Sequence, residues 1–326
     1  MGRTSTYSET IDLLFDTTWP DLQPGVQDCY FRQYPFWAKM KADQRVKTGG
    51  RDLRINLEIG ESNIQSIGKG DTVDTTEPDI ASQVVFPWRE LSGNVNRFRT
   101  EDADNAGSNR IIDLLQWKRD NVAKSMAKKI NYQMIRSDGT GNNNKDLYGL
   151  ALLISLTPTT GTVGSLNRAN DTFFRNKART SQSPASVYLI RDLKLAYNDL
   201  YVDEGEAPNF WLVDRTCYEL YESCAVALQT IDLNARSKQM VDLGFPEHRV
   251  FKGAPMFVDK DMVAGYSYGL NTNALEWHVH RDFNMAWTGW KEPHNQPFDK
   301  SSQVVIRGNI VSSNPRRLII LSGIAE

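Results

Sequence analysis

The strongest structural signal in this sequence is a long stretch without proline, from Ser108 to Arg136. Its apolar residues recur at intervals of four or seven, which places them on one face of a helix. At ~1.5 Å per residue such a helix would extend about 40 Å, well beyond the average globular helix. Ser108 or Asn109 is the candidate N-cap, and the turn chemistry of Ser137–Gly141 ends the helix. The predicted buried face consists of Ile111, Leu115, Val122, Met126, Ile130 and Met134.

The predicted helix is also strongly basic, with seven Lys and Arg side chains against Asp113 and Asp120. Residues 71–104 carry the opposite charge, with eight acidic side chains against three basic ones. This complementarity predicts that the two regions meet, within or between chains. The alternative is two solvated faces that never meet, because surface ion pairs contribute little. The helix residues taken as assembly candidates are Lys118, Arg119, Lys124 and Lys128.

Residues 1 to about 44 resemble an arm more than a domain. Over residues 1–30, only Arg3 opposes five acidic side chains, and proline and glycine punctuate the segment. Large aromatic side chains are costly to leave in water, so this arm is expected to lie against another surface. The most economical partner is a second copy of the chain. The expected anchors are Phe15, Trp19, Phe36 and Trp37.

Residues 45 to about 98 are expected to form a two-stranded excursion. Residues Arg51 to Ile59 alternate between apolar and polar side chains, as a half-buried strand does. A second apolar run covers Gln83 to Arg97, and the segment between the two runs is too polar for a core. An isolated two-stranded ribbon is marginal in water, so a neighbouring surface should stabilise it.

The rest of the chain predicts mixed short elements and an α+β fold class. Its length of 326 residues favours two domains, or one domain with an extended arm. Helices are expected at 186–201 and 215–227, and strands at 209–213, 250–258 and 274–280. The last 25 residues predict two strands around a turn at Ser312–Pro315.

Composition excludes several classes of protein. The chain has 38 basic and 40 acidic side chains, a net charge of −2, and so lacks the cationic excess of a dedicated nucleic-acid binder. Cys29, Cys217 and Cys224 are too few for a disulfide framework and indicate a reducing compartment. No signal peptide and no membrane-spanning run is expected.

Little in the sequence predicts catalysis. Glu276, His278 and His280 fall on one face of a predicted strand, a spacing that could present three metal ligands. A strand edge that faces solvent or another subunit is the alternative. Neither a phosphate-binding loop nor a nucleophile elbow is present. We therefore expect no enzyme activity and no cofactor, with a metal-dependent enzyme that uses these three residues as the alternative.

Three segments, together with the order of elements, resemble the major capsid proteins of tailed double-stranded DNA phages, which have the Hong Kong 97 type of fold. The first runs from LSGNVNRF to DLYGL (Leu91 to Leu150), the second is GSLNRANDTFFRN (Gly164 to Asn176), and the third is GYSYGLNTNALEWHVH (Gly265 to His280). The likeness covers most of the chain in order, although no single motif is as specific as a zinc signature.

The resemblance implies a division of the chain into the parts of that fold. Residues 1–44 would be the N-terminal arm, 45–98 the extension loop with its base strands, and 99–149 the peripheral domain with a spine helix at 108–136. Residues 150–295 would be mainly the axial domain, and 296–326 would be strands that return to the peripheral domain. In the extension loop, the resemblance makes Lys47, Arg51, Arg54 and Lys69 candidates for contacts between subunits.

The resemblance further implies the function. The chain would assemble with itself into pentamers and hexamers of an icosahedral shell, which encloses double-stranded DNA without sequence-specific binding. Portal and scaffold proteins, and in some shells decoration proteins, would be partners, and no membrane would be involved. Because the arm starts almost at Met1, scaffolding is expected to be a separate protein or to be unnecessary. The shell would belong to the virion and form in the host cytoplasm. An encapsulin-type nanocompartment is the alternative within the same fold.

Overall fold

A long helix from the first half of the sequence packs against a β-sheet. The computed structural model describes residues 34–76, 78–104, 114–226, 249–293 and 299–325. The long helix ends at residue 136, as the sequence predicts. Its predicted start, at Ser108 or Asn109, lies outside the described residues. The helices are α1 (Pro35–Ala42), α2 (Arg99–Asp104), α3 (Leu114–Arg136), α4 (Leu150–Leu153), α5 (Ala185–Asp203) and α6 (Arg215–Val226), with 3₁₀ turns at Thr172–Phe174, Arg281–Phe283 and Pro315–Arg317.

The strands of the described residues form two larger sheets and two ribbons. They are β1 (Arg45–Lys47), β2 (Asp52–Glu58), β3 (Ala81–Pro87), β4 (Arg89–Arg97), β5 (Thr162–Val163), β6 (Leu166–Asn167), β7 (Lys177–Thr180), β8 (Phe210–Val213), β9 (Arg249–Phe251), β10 (Ala254–Val258), β11 (Ser267–Leu270), β12 (Leu275–His280), β13 (Ala286–Trp287), β14 (Lys300–Ser312) and β15 (Ile319–Ser322).

The five-stranded sheet is built on β14. Its order is β1-β12-β14-β13, and β4 pairs antiparallel with β14 over nine residues. Helix α3 packs closely on β4 at Gly93, where a Cβ atom would lie 2.6 Å from Cγ1 of Val122. Met126, Ile130 and Met134 are buried, as the helical periodicity predicts.

The six-stranded sheet has the order β7-β15-β11-β8-β10-β9. On one face it packs against α5 and α6, with Leu189, Leu193 and Trp211 among the buried residues. On the other face Phe210, Leu212 and Tyr268 join the same hydrophobic cluster as the five-stranded sheet and α3. The two sheets therefore share one core.

One expectation for the N-terminal segment needs correction. Phe36 and Trp37 do not need a partner chain, because they are buried in α1, where Phe36 packs against Phe210 and Trp37 against Trp277. The last residues form two strands around a turn, as predicted, and these strands lie in different sheets: β14 in the five-stranded sheet and β15, which pairs with β7 and β11, in the six-stranded one. Phe15 and Trp19 lie outside the described residues.

Most of the local predictions are confirmed. The strands expected at 209–213 and 274–280 and the helices expected at 186–201 and 215–227 match β8, β12, α5 and α6. The run expected at 250–258 is a hairpin of β9 and β10, because Lys252 and Gly253 adopt positive φ angles and turn the chain. No helix in the described part of the chain is long and apolar enough to cross a membrane.

Candidate assembly surfaces

Residues 48–88, the middle part of the predicted extension loop (45–98), are fixed firmly to the body at both ends. Asn309, fully buried in β14, donates from Nδ2 to the carbonyl oxygen of Pro87 at 2.9 Å and accepts from the backbone N–H of Tyr148 at 2.9 Å. Trp88 donates from Nε1 to the carbonyl oxygen of Gly50 at 3.0 Å, which ties the two ends of the loop together. The loop therefore leaves the body in a defined direction.

Beyond these hydrogen bonds, the loop continues as an antiparallel ribbon of β2 and β3. The two strands pair antiparallel over seven residues, and Leu53, Val84 and Phe86 are buried on one side. The backbone N–H of Val85 donates to Oγ of Ser165 at 3.1 Å, which attaches the base of the ribbon to the β5–β6 hairpin. The alternation of apolar and polar side chains in the sequence therefore reflects a ribbon with one buried face, as predicted.

The tip of the loop, residues 60–80, has a different character. Its hydrogen bonds are internal, such as the one from Nδ2 of Asn63 to Asp74 at 2.8 Å. The hydroxyl group of Thr76 donates to Asp74 and, with other hydrogen bonds, lowers the pKa of that carboxyl group. Aliphatic side chains are nevertheless exposed here: Ile64, which is 90% exposed, and Ile67, Val73 and Ile80. The polar composition of this segment does not predict the exposed aliphatic side chains at its tip, although the isoleucines are visible in the sequence.

The four basic candidates of the loop are exposed and separate from one another. Lys47 stands in β1, at the edge of the five-stranded sheet, and Arg51 precedes β2. Arg54 in β2 makes a long contact, 3.5 Å, from Nη1 to Oε1 of Gln83. Lys69 lies at the tip. They form no single site in this chain, and an inter-subunit role for them stays a prediction.

The four basic candidates of α3 are partly used within the chain. Lys118 forms an ion pair with Glu101 and donates to the carbonyl oxygen of Asn96 at 3.2 Å. Arg119 lies over the ring of Trp287, 5.3 Å from its centroid. The ion pair of Lys118 joins the basic helix to the acidic segment 71–104, so the charge complementarity acts at this point inside one chain. Lys124 is exposed and Lys128 is half-buried on the same helix.

The strand with Glu276 and the two histidines is not a sheet edge, because β12 lies between β1 and β14 in the five-stranded sheet. Nε2 of His278 lies 2.8 Å from Oε2 of Glu276, whose other oxygen accepts from Arg45 at 2.8 Å. The hydrogen bond with His278, followed by the charge of Arg45, lowers the pKa of Glu276 against the effect of burial. His280 instead accepts from the backbone N–H of Asp282. Within the described residues, no group of three His, Cys, Asp or Glu side chains could hold a metal ion.

A cavity of about 380 Å³ lies beside Glu276. Lys39 and Asp43, which line it, form an ion pair at 2.8 Å. Arg45 is paired with Glu276, as described above. Charged side chains of both signs therefore line this cavity as ion pairs.

Comparison with solved structures identifies the fold. No protein-family model and no curated protein matches the sequence. The capsid subunit of cyanophage A-1(L) is 11% identical and superposes with a TM-score of 0.73, covering 93% of this chain and 96% of the other. The capsid of Myoviridae phage XM1 is 10% identical, with a TM-score of 0.60 and coverage of 99% and 100%. An encapsulin complex from Synechococcus elongatus is 11% identical, with a TM-score of 0.57 and coverage of 96% and 95%.

The chain therefore has an α+β fold of the Hong Kong 97 capsid type. This confirms, at the level of fold, the resemblance seen in the sequence. The fold extends over nearly the whole chain and not over one domain alone.

Proposed function

We propose that the chain is the major capsid protein of a tailed phage. It assembles into pentamers and hexamers of an icosahedral shell that encloses double-stranded DNA. The observation that carries this proposal is the superposition of 93% of the chain on a cyanophage capsid subunit with a TM-score of 0.73. The firmly rooted loop with its exposed apolar tip supports it, because an isolated chain gains nothing from aliphatic side chains held in water.

The candidate surfaces take their roles from this proposal. The exposed Lys47, Arg51, Arg54 and Lys69 of the extension loop contact neighbouring subunits, and the apolar tip is covered in the shell. Lys124 and Lys128 on α3 offer further basic surface, whereas Lys118 and Arg119 mainly hold α3 to its own chain. Phe15 and Trp19 anchor the arm to another subunit.

The charge balance of the chain suits a container for DNA. A net charge of −2 leaves little electrostatic attraction to phosphate, so the shell confines the polymer without binding its sequence. Portal and scaffold proteins are its expected partners, with decoration proteins in addition. Assembly in the host cytoplasm and incorporation in the virion complete the proposal.

An encapsulin-type nanocompartment is the second candidate, since an encapsulin complex shares the fold with a TM-score of 0.57. The two candidates differ in what the shell contains. A nanocompartment holds protein cargo, whereas a phage capsid holds nucleic acid. The contents of purified particles therefore separate them.

Negative-stain electron microscopy of the chain, expressed alone and with its neighbouring genes, tests the proposal. Closed shells hundreds of ångströms across are the expected result, and nuclease-protected DNA in particles formed with the neighbouring genes identifies a phage capsid. Shells that hold a co-purifying protein and no DNA would favour the nanocompartment. A sedimentation profile with monomer alone, at high concentration and with any scaffold partner present, would contradict both candidates.

A further inference from the structure

The junction between α3 and the segment after β10 brings two carboxylates together around one amide group. Asn131 of α3 is fully buried, and its Nδ2 lies 3.1 Å from each oxygen of Asp259 and 2.9 Å from Oδ2 of Asp261. Asp259 is 3% exposed. None of the ion pairs found among the described residues involves either carboxylate.

This junction connects the two sheets of the fold. Helix α3 packs on β4 of the five-stranded sheet, whereas Asp259 and Asp261 stand in the loop between β10 and β11 of the six-stranded sheet. Arg136, near the end of α3, reaches the same loop and donates to the carbonyl oxygens of Asp261 at 2.6 Å and Met262 at 2.7 Å. A change at this junction therefore acts on the contact between the helix and the six-stranded sheet.

Acceptors outnumber donors at the junction. The amide group of Asn131 has two hydrogens, and the backbone N–H of Asp261 supplies one more to Oδ1 of Asp259 at 2.9 Å. Three carboxylate oxygens crowd around the one amide nitrogen, and Oδ1 of Asn131 is buried without a hydrogen-bond partner. Because buried acceptors that outnumber their donors are costly, a proton on one of the two carboxyl groups would reduce this excess of acceptors.

Burial raises the pKa of Asp259 to about 6, and the charge of Asp261 acts in the same direction. The hydrogen bonds from the backbone N–H of Asp261 and the side chain of Asn131 oppose the rise without cancelling it. The other charged or titratable groups at the junction are Asp261, Arg136, the exposed Lys260, and Tyr268 of β11, whose pKa of about 12 keeps it neutral. Arg136 binds carbonyl groups, so its tether does not depend on pH.

We propose that Asn131, Asp259 and Asp261 form a proton-operated latch between α3 and the six-stranded sheet. The latch is tight when Asp259 is protonated and loosens when Asp259 is ionised. The sign follows from linkage: a carboxyl group whose pKa is higher in the closed state than in the open state stabilises the closed state at low pH. That stabilisation is lost as the pH rises through about 6. The latch lies within one chain, so it does not depend on shell formation.

Hydrogen–deuterium exchange of the full chain, corrected for the intrinsic pH dependence of exchange, tests the latch. The backbone amides of residues 259–265 are expected to be protected about tenfold more at pH 5 than at pH 7. In Asp259→Asn this pH dependence disappears, since no group remains to titrate. Protection that does not change with pH in the natural chain, or the same change in Asp259→Asn, would overturn the proposal.

Two further variants separate the latch from a merely structural contact. Asp261→Asn removes the neighbouring negative charge, so the change in protection should persist but move to lower pH. Arg136→Gln removes the other tether and should weaken protection equally at every pH. If Asp259→Asn does not fold, the natural chain and Asp261→Asn still decide: an unmoved transition in Asp261→Asn counts against the cluster.

Discussion

Gly149 shows why a small residue is needed where two segments meet at the end of α3. A Cβ atom there would lie 2.3 Å from the carbonyl oxygen of Gln133, 2.8 Å from that of Ser137 and 2.9 Å from that of Met134. These oxygens belong to the backbone of the last helical turn and of the residue after it, and they cannot rotate away as a side chain could. The glycine in the DLYGL segment is therefore explained by close packing of the backbone.

We predict that Gly149→Ala destabilises the chain by about 3 kcal/mol, the range of an overpacked core. Gly289→Ala is the matched control, because nothing lies within 4 Å of its added Cβ and its φ is not in the left-handed region. Urea denaturation of both variants checks this difference. Equal midpoints for the two variants would show that the end of α3 can move to accept a methyl group.

At the scale of elements, α1 is part of the core although the sequence places it in the arm. Phe36 and Met40 are buried, and α1 contacts both α3 and β12. Phe36→Ala should therefore cost about 3–5 kcal/mol, as large-to-small changes of buried aromatic residues do. Phe98→Ala, at a side chain that is 39% exposed, should cost much less. Thermal unfolding of the two variants is the comparison, and similar losses would remove α1 from the core.

Helix α3 and strand β2 show what the sequence could and could not predict. Alternation in β2 and the four-residue spacing in α3 are local signals, and both elements form as predicted. The burial of Asn131 and Gln133 on α3 could not be read from one helix, because α1 and distant loops cover its other faces. The separation of β15 from β14 depends likewise on partners far away in the chain, since β7 and β11 lie on either side of β15.

The candidate site was predictable in the same uneven way. The basic residues of the loop are exposed, as contacts between subunits require. Charge alone could not distinguish them from Lys118, which already forms an ion pair within its own chain. The metal hypothesis assumed that side chains on one face of a strand act together. In the structure His280 turns to the 3₁₀ turn after β12 and packs near Trp88, whereas Glu276 faces Arg45.

Charge reversal in the extension loop tests its assembly role. The triple variant Arg51→Glu, Arg54→Glu and Lys69→Glu should fold normally, because all three side chains are exposed and outside the core. Shell formation should be lost or strongly reduced, since like charges would then face the neighbouring subunit. Lys145→Glu, at an exposed lysine outside the loop, is the control. Electron microscopy with unchanged shells from the triple variant would remove these residues from the interface.

At the scale of the whole molecule, folding and assembly should depend on different parts of the N-terminal 44 residues. The core that the structure describes begins with α1, whose Phe36, Trp37 and Met40 are buried. The five acidic residues and the first aromatic residues precede it in the sequence, outside the described residues. Truncations on either side of α1 can therefore separate the two processes.

Deletion of residues 1–30 should leave a folded chain that does not form normal shells, because the core keeps α1 and the arm is lost. Deletion of residues 1–42 should also abolish cooperative unfolding, since Phe36, Trp37 and Met40 would leave a large void in the shared core. Thermal unfolding measures whether each deletion variant folds, and electron microscopy measures whether it forms shells. Normal-sized shells from the shorter deletion would show that the arm is dispensable for assembly. Loss of the fold in the variant that lacks residues 1–30 would show that part of the core lies before residue 31. Because folding and shell formation are measured separately, this outcome is distinct from normal shell formation.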